Sequence, residues 1–203
     1  MLYIERICYE KSILLNFRDS CLTYKKIISR VVNKKRWVHM RRKDREVTDF
    51  SKILDVVKNC EVLRLGLADG DFPYIVPVNF SYEADEANGS LCFYIHGAMA
   101  GRKYELLKSN PGCSFEMDNQ LKIDYLYDCH DITTRYECVM GTAEVIEISD
   151  DEKEQIMQEK VLSRWEEARS FPWNKDSLKR CAMFKFVVKT LSCKVNPLKG
   201  GAD

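Results

Sequence analysis

A chain of 203 residues with 45% apolar side chains can bury one substantial core and does not demand a second domain. With 32 Lys and Arg against 31 Asp and Glu the formal net charge is +1, so there is no overall electrostatic case for nucleic acid or an anionic membrane as the main partner. The nine cysteines form no CxxC pair and no cluster with histidine, so neither a zinc site nor a secreted disulfide framework is signalled and a reducing cytoplasm fits best.

Residues 1–39 are the least domain-like part, with nine Lys or Arg against three Asp or Glu. Ile13-Leu14-Leu15 is too short for a signal-peptide core, and the basic run Lys34-Lys35-Arg36 reads as solvated. The segment is expected to be an N-terminal extension, disordered or the product of a misassigned translation start, with one domain over residues 40–203. Thr48 or Asp49 can cap a helix in which Phe50, Ile53, Leu54 and Val57 recur at i, i+3, i+4 and i+7. Over residues 61–68 Leu63, Leu65 and Leu67 share one face and Arg64 and Gly66 the other, and Asp69-Gly70 signals a hairpin turn. The next strand is expected from about residue 74 to 82, with Tyr74, Val76, Val78, Phe80 and Tyr82 on one face and Pro77 and Asn79 on the other. Pro73 and Pro77 withhold two ladder N–H groups, which points to an edge, a bulge or a ligand-facing stretch. Asn88-Gly89 then turns the chain into a strand where Leu91, Phe93 and Ile95 alternate with Cys92, Tyr94 and His96, the pattern of a half-buried strand.

That strand passes through Gly97-Ala98-Met99-Ala100-Gly101 into a helix opening on Arg102-Lys103. Two cations at a helix N-terminus are unfavourable unless an anion offsets them. The small residues let a ligand approach the backbone, and free amides beside two cations make a phosphate site; a solvated pair of surface charges is the plainer alternative. Arg64, Asn79 and His96, one polar residue on each of three strands, converge on one pocket in this reading, although each also has an ordinary role as ion pair, turn residue or core-edge histidine. Ser109-Asn110-Pro111-Gly112 stops the helix, and a strand follows over residues 113–117. Residues 119–134 resist assignment to a face, with Tyr125, Tyr127 and His130 as candidate contacts. Residues 135–146 read as a long strand whose Gly141 marks a bulge. Ser149 caps a charged helix from about 150 to 164, residues 183–188 supply the last strand, and Lys199-Gly200-Gly201 is a frayed tail. About six strands and three helices, with the strands in antiparallel hairpins, imply a mainly β fold, a small β-barrel with peripheral α-helices.

Taken together, Met40-Arg41-Arg42-Lys43-Asp44-Arg45-Glu46, Arg64-Leu65-Gly66-Leu67, residues 73–80, Phe93-Tyr94-Ile95-His96-Gly97-Ala98 and Gly101-Arg102-Lys103 resemble the nitroimidazole-resistance (Nim-like) branch of the pyridoxamine 5'-phosphate oxidase-like flavoproteins. The resemblance covers about residues 40–195. It implies an FMN-binding split β-barrel acting as a homodimer, with each flavin held between subunits; FAD presents its phosphate to the same kind of site. It further implies that Arg102 and Lys103 grip the flavin phosphate and that the strand of Arg64 adds a contact. Val78 and Asn79 would line the isoalloxazine ring, Ile95 and His96 would touch the cofactor, and Arg135, Tyr136 and Glu137 would approach the partner's flavin. Two departures stand out: the C-terminal region lacks the arginine signature of true pyridoxamine phosphate oxidases, so vitamin B6 oxidation is not expected, and Cys138 replaces a small polar residue. The expected activity is transfer of electrons from a reduced nicotinamide or another donor to a small-molecule acceptor such as a 5-nitroimidazole, with His96 hydrogen-bonding substrate or delivering a proton. The alternative is a non-catalytic flavin- or haem-binding protein, with His96 or His130 as axial ligand.

Overall fold

Strands are the main element of the computed structural model, which describes residues 40–196. The expected extension over residues 1–39 and the expected tail at Lys199-Gly200-Gly201 lie outside the described residues. In chain order the elements are β1 (Glu46–Val47), α1 (Phe50–Asn59), β2 (Leu63–Leu67), β3 (Tyr74–Val78), β4 (Ser81–Asp85), β5 (Ser90–Ala98), α2 (Arg102–Ser109), β6 (Gly112–Leu126), β7 (Asp131–Glu147) and β8 (Cys181–Asn196). Asp49 caps α1 by accepting from the Ser51 amide at 3.0 Å, and Ile53, Val56 and Val57 turn its apolar stripe into the core.

The strands form one antiparallel sheet in the order β3-β2-β6-β7-β8-β5-β4, with β1 added beside the end of β8. Its two end strands, β3 and β4, are consecutive in sequence and joined only by Asn79 and Phe80. Such a link spans no more than about 11 Å, so the two sheet ends must lie close together and the sheet must curl into a split barrel. The single strand expected over residues 74–82 is therefore broken at Asn79-Phe80, where the chain leaves one edge of the sheet and enters the other. Pro77 lies on an edge strand, where a missing N–H is tolerated.

Leu63, Leu65, Leu67, Ile95, Met117, Leu191 and Cys193 fill the barrel, with Phe93 at its centre, edge-on to Phe80 and Phe115 at centroid distances of 5.6 and 5.1 Å. A smaller core lies on the outer face of β5 and β8, where Tyr94 and Met183 pack with Ile148, Met157, Val161 and Leu178. The strand expected to be half-buried is thus covered on both faces until His96, which is exposed. The covering segment begins at Lys153 rather than Asp150, and runs as α-helix to Ile156, π-helix over Met157–Val161 and 3-10 helix over Leu162–Arg164. Ser149 donates its hydroxyl to the Glu152 carboxylate and so does not cap an amide.

The described residues contain eight strands, two more than the sequence suggests, because β1 is added and the expected 74–82 strand is split; β6 and β7 also pair far beyond their expected limits. They continue as a hairpin arm that takes in residues 119–134 and turns at His130, whose φ of 52° is left-handed. Ile123, Tyr125, Tyr127 and Ile132 are exposed on this arm. Among the described residues no helix is long and apolar enough to cross a membrane.

Gly141 sits beside the register shift at Thr142/Ala143, as expected of a bulge, and faces inward at a point where no side chain fits. A Cβ there would stand 2.0 Å from the Thr190 carbonyl oxygen, a backbone atom that no rotamer change moves, and 2.9 Å from Phe115 Cζ in the core. Gly141→Ala is expected to lower the unfolding free energy by at least about 1–3 kcal/mol in urea denaturation. Gly66→Ala, whose nearest new contact is Ser114 Cβ at 3.7 Å, should unfold close to the parent midpoint, and equal losses in the two variants would contradict this account.

Candidate functional site

Large residues point into the barrel from β2, β6, β7 and β8, and their outward neighbours are small. Gly66, Ser114, Thr142, Thr190 and Ser192 leave a groove of about 540 Å³ on the outer sheet face, walled by the exposed Ile75 and Met140 and closed at one end by Arg64 and Glu116. That volume is in the range of about 300–1,000 Å³ usual for small-molecule sites. The depression continues along the same face past Gly66, Ser114 and Thr142 to Ala68, Pro111 and Lys189. None of these small residues announces itself alone; the signal was available only as small or hydroxyl side chains recurring at outward positions of several strands.

Arg64 is the predicted site residue that lines the groove. Its Nη1 donates to Glu116 at 3.1 Å and also to Asp118, so two β6 carboxylates share its charge. Cys138 lies in the same cluster, 3.6 Å from Glu116 Oε1, and desolvation, reinforced by Glu116, pushes its thiol up to about 12. At neutral pH that thiol is protonated and is no nucleophile.

The start of α2 holds a second group. Gly101, with φ of 93°, turns the chain where a side chain would be strained, and no side chain caps the helix. Arg102 donates through Nε to Asp69 at 2.9 Å and has Glu105 at 3.7 Å. Asp69 follows Ala68, which lines the far end of the depression, although Asp69, Arg102 and Lys103 do not line it. The anion that the cationic helix start requires is thus supplied in part by the protein itself. Lys103 has no carboxylate within 4.0 Å among the described residues, and its Nζ lies over Gly97, 3.1 Å from where a Cβ would stand. His96 is exposed on β5 opposite Met183, and its pKa is lowered, first by desolvation and second by Lys103.

The other predicted residues are placed elsewhere. Val78 and Ile95 are buried in the core, and Asn79 is exposed in the link between β3 and β4; the groove is lined by Arg64 but not by Asn79 or His96. At the root of the arm Arg135 donates to Asp124, the Tyr136 hydroxyl accepts from Arg45 at 3.3 Å beneath the Lys194 ammonium, and half-buried Glu137 stands opposite Asn119 and Val195. Tyr125 and Tyr127 are exposed farther along the arm.

The antiparallel split barrel is the fold of one class of protein. The chain belongs to the pyridoxamine 5'-phosphate oxidase family, whose model matches residues 49–195. Its fold is similar to that of a candidate 5-nitroimidazole antibiotic resistance protein from Bacteroides thetaiotaomicron, at 22% identity and a TM-score of 0.63 over 74% of this chain and 86% of that one. It is also similar to the flavocytochrome Anf3 from Azotobacter vinelandii, at 18% identity and 0.62 over 81% and 75% of the two chains. An FAD and haem binding protein from Mycobacterium smegmatis matches at 13% identity and 0.65 over 78% and 77%. At these identities the likeness is one of fold. No curated protein matches the chain.

The lowered pKa of His96 fixes the sign of its pH effect. The unfolded chain binds the proton first as pH falls below the ordinary histidine value of about 6.5, so His96 costs stability on acidification and nothing above that pH. Lys103→Gln removes the second cause and is expected to raise the His96 midpoint, read from ring-proton NMR titration. An unchanged midpoint would show that Lys103 does not act on the ring.

Proposed function

We propose that this chain is a flavin-dependent oxidoreductase, with FMN or FAD as cofactor, that acts as a homodimer and passes electrons from a reduced nicotinamide to a small-molecule acceptor, nitroaromatics included. The observation that carries this reading is the groove floored by Gly66, Ser114 and Thr142 that runs to Ala68, next in sequence to the Asp69 that holds Arg102 at the start of α2. A planar ring needs a floor without protruding side chains, and a phosphate needs cations and free amides; the residues present fit both demands. Bound there, the flavin would supply the two-electron chemistry.

The remaining roles fall to the protein's own side chains. Lys103, with no carboxylate partner among the described residues, and the α2 amides would hold the phosphate. The exposed pair of Arg102 with Asp69 is weak enough to be exchanged for a phosphate contact, since such pairs are worth about 0–1 kcal/mol. Arg64, fixed by Glu116 and Asp118, would shape the other end of the groove rather than grip an anion. His96 is neutral at pH 7 and would offer one N–H and one lone pair to a substrate or cofactor atom. Exposed Ile75 and Met140 beside the groove, with Ile123, Tyr125, Tyr127 and Ile132 on the arm, are apolar surface that a second copy would cover, which supports the homodimer. The FAD and haem binding protein and the candidate nitroimidazole resistance protein share the fold, which supports the cofactor and the acceptor class. A cytoplasmic location is supported by the seven free cysteines among the described residues.

A visible spectrum of the purified chain, with mass identification of what heat denaturation releases, tests the cofactor. Flavin absorption is expected, with content lost in Arg102→Ala/Lys103→Ala and in Gly66→Leu, which fills the groove. Steady-state oxidation of reduced nicotinamide with a nitroaromatic acceptor tests the activity. A colourless protein that takes up no added flavin would falsify the reading, and a haem spectrum without flavin would replace it by the binding-protein alternative.

A further inference from the structure

A second cavity, about 570 Å³, shares no residue with the groove. Four cations line it, Lys58 from the last turn of α1 and Lys160, Arg164 and Arg169 from the segment between β7 and β8, against one carboxylate, Glu61. What charge remains depends on how each cation is partnered. Lys160 is paired with Glu83 at 2.6 Å. Arg164 donates instead to two backbone carbonyls, Phe80 O at 2.9 Å and Cys60 O at 2.6 Å. Arg169 donates through Nε and Nη2 to the Ser163 carbonyl at 3.0 and 2.9 Å. A carbonyl orients a guanidinium without cancelling its charge, so both arginines are held in position as cations. Lys58 has no carboxylate within 4.0 Å among the described residues. Glu166 and Glu167 follow Trp165 in sequence but do not line the cavity. Even with Glu83 counted, four cations face two carboxylates.

The walls add an aromatic element. Tyr82 and the exposed Trp165 both line the cavity, and their rings lie 5.9 and 5.7 Å from the Arg164 guanidinium carbon. Pre-oriented guanidinium groups match phosphate oxygens, and an exposed indole beside them offers a stacking face. Inorganic phosphate alone would not use the rings, and an acyl chain would not use the cations. A long polynucleotide would need a basic surface, which a net charge of +1 does not supply.

We propose that this cavity binds a phosphate-bearing aromatic ligand of the mononucleotide class, its phosphate held by Arg164, Arg169 and Lys58 and its ring against Trp165 and Tyr82. The site is separate from the groove and does not rest on the flavin reading.

The test is calorimetric titration of the full chain with AMP and with inorganic phosphate as probes. AMP is expected to bind at least about tenfold more tightly than phosphate. Lys58→Gln/Arg169→Gln should weaken AMP about tenfold or more while leaving cooperative unfolding and flavin content intact. Arg164 is kept intact because it also ties Cys60 to Phe80. Trp165→Ala should weaken AMP about tenfold and phosphate little, with Trp165→Phe restoring most of the loss. Arg102→Ala/Lys103→Ala should leave AMP binding intact. The proposal is overturned by absence of AMP binding at millimolar concentration, by full-strength binding in Lys58→Gln/Arg169→Gln, by an indifferent Trp165→Ala, or by loss of binding in the α2 variant instead.

Discussion

Closure of the barrel depends on Phe80. The end strands of the sheet meet through Asn79-Phe80 alone, and Phe80 is held at that junction from three sides. Its ring packs edge-on against Phe93, its carbonyl accepts from Arg164, and the same guanidinium lies over the ring at 4.1 Å while reaching Cys60 at the end of α1. One side chain thereby ties together the link between the sheet ends, α1 and the outer segment. Desolvation lowers the Arg164 pKa, yet a guanidinium stays charged, so its hydrogen bonds and aromatic faces must offset the cost of partial burial.

Once the barrel is closed, its inside and outside follow opposite rules. Phe93, Phe115 and Phe80 fill the interior, and Phe115 can come this close to β7 only because Gly141 has no side chain. On the outer face of the same strands the residues are small, and a flat, shallow depression results. A side chain large enough to fill the groove would leave the core intact. Stability and ligand space are therefore governed by alternate residues of the same strands.

Local signals were legible in the sequence. The Asp49 cap, the turns at Gly70 and Gly89, the passage from β5 through Gly101 into α2 and the stop at Asn110-Pro111 all depend on residues a few positions apart. The break at Asn79-Phe80 was not, because Val76, Val78, Phe80, Tyr82 and Ala84 keep the same inward parity through it, and period-two alternation does not record which strand lies alongside. Burial of Tyr94 on the outer face depends on a segment more than fifty residues later, and the arm over residues 119–134 has apolar side chains exposed on it, so it lacks the one-sided pattern of a core strand. At the site the cationic helix start was legible, whereas the carboxylates facing Arg64 and Arg102, at Glu116, Asp118 and Asp69, are long-range partners that no local pattern announces.

The partners of the arginines separate their roles. Arg64 lies against two carboxylates and Arg102 against Asp69 and Glu105, so each is largely neutralised where it stands, and an incoming anion gains only what it can take from those pairs. At α2 the unshared attraction comes from Lys103 and the backbone amides, which restricts that site to an anion that reaches the helix start itself. Arg164 and Arg169 instead bond to carbonyls, which spend part of their donor capacity on geometry and leave the charge outward-acting. The two regions therefore differ in how cations are presented: one through a helix start with a displaceable pair, the other through guanidinium groups fixed before any ligand arrives. That difference follows from which acceptor each arginine meets, and the sequence composition, nearly balanced in charge, conceals it.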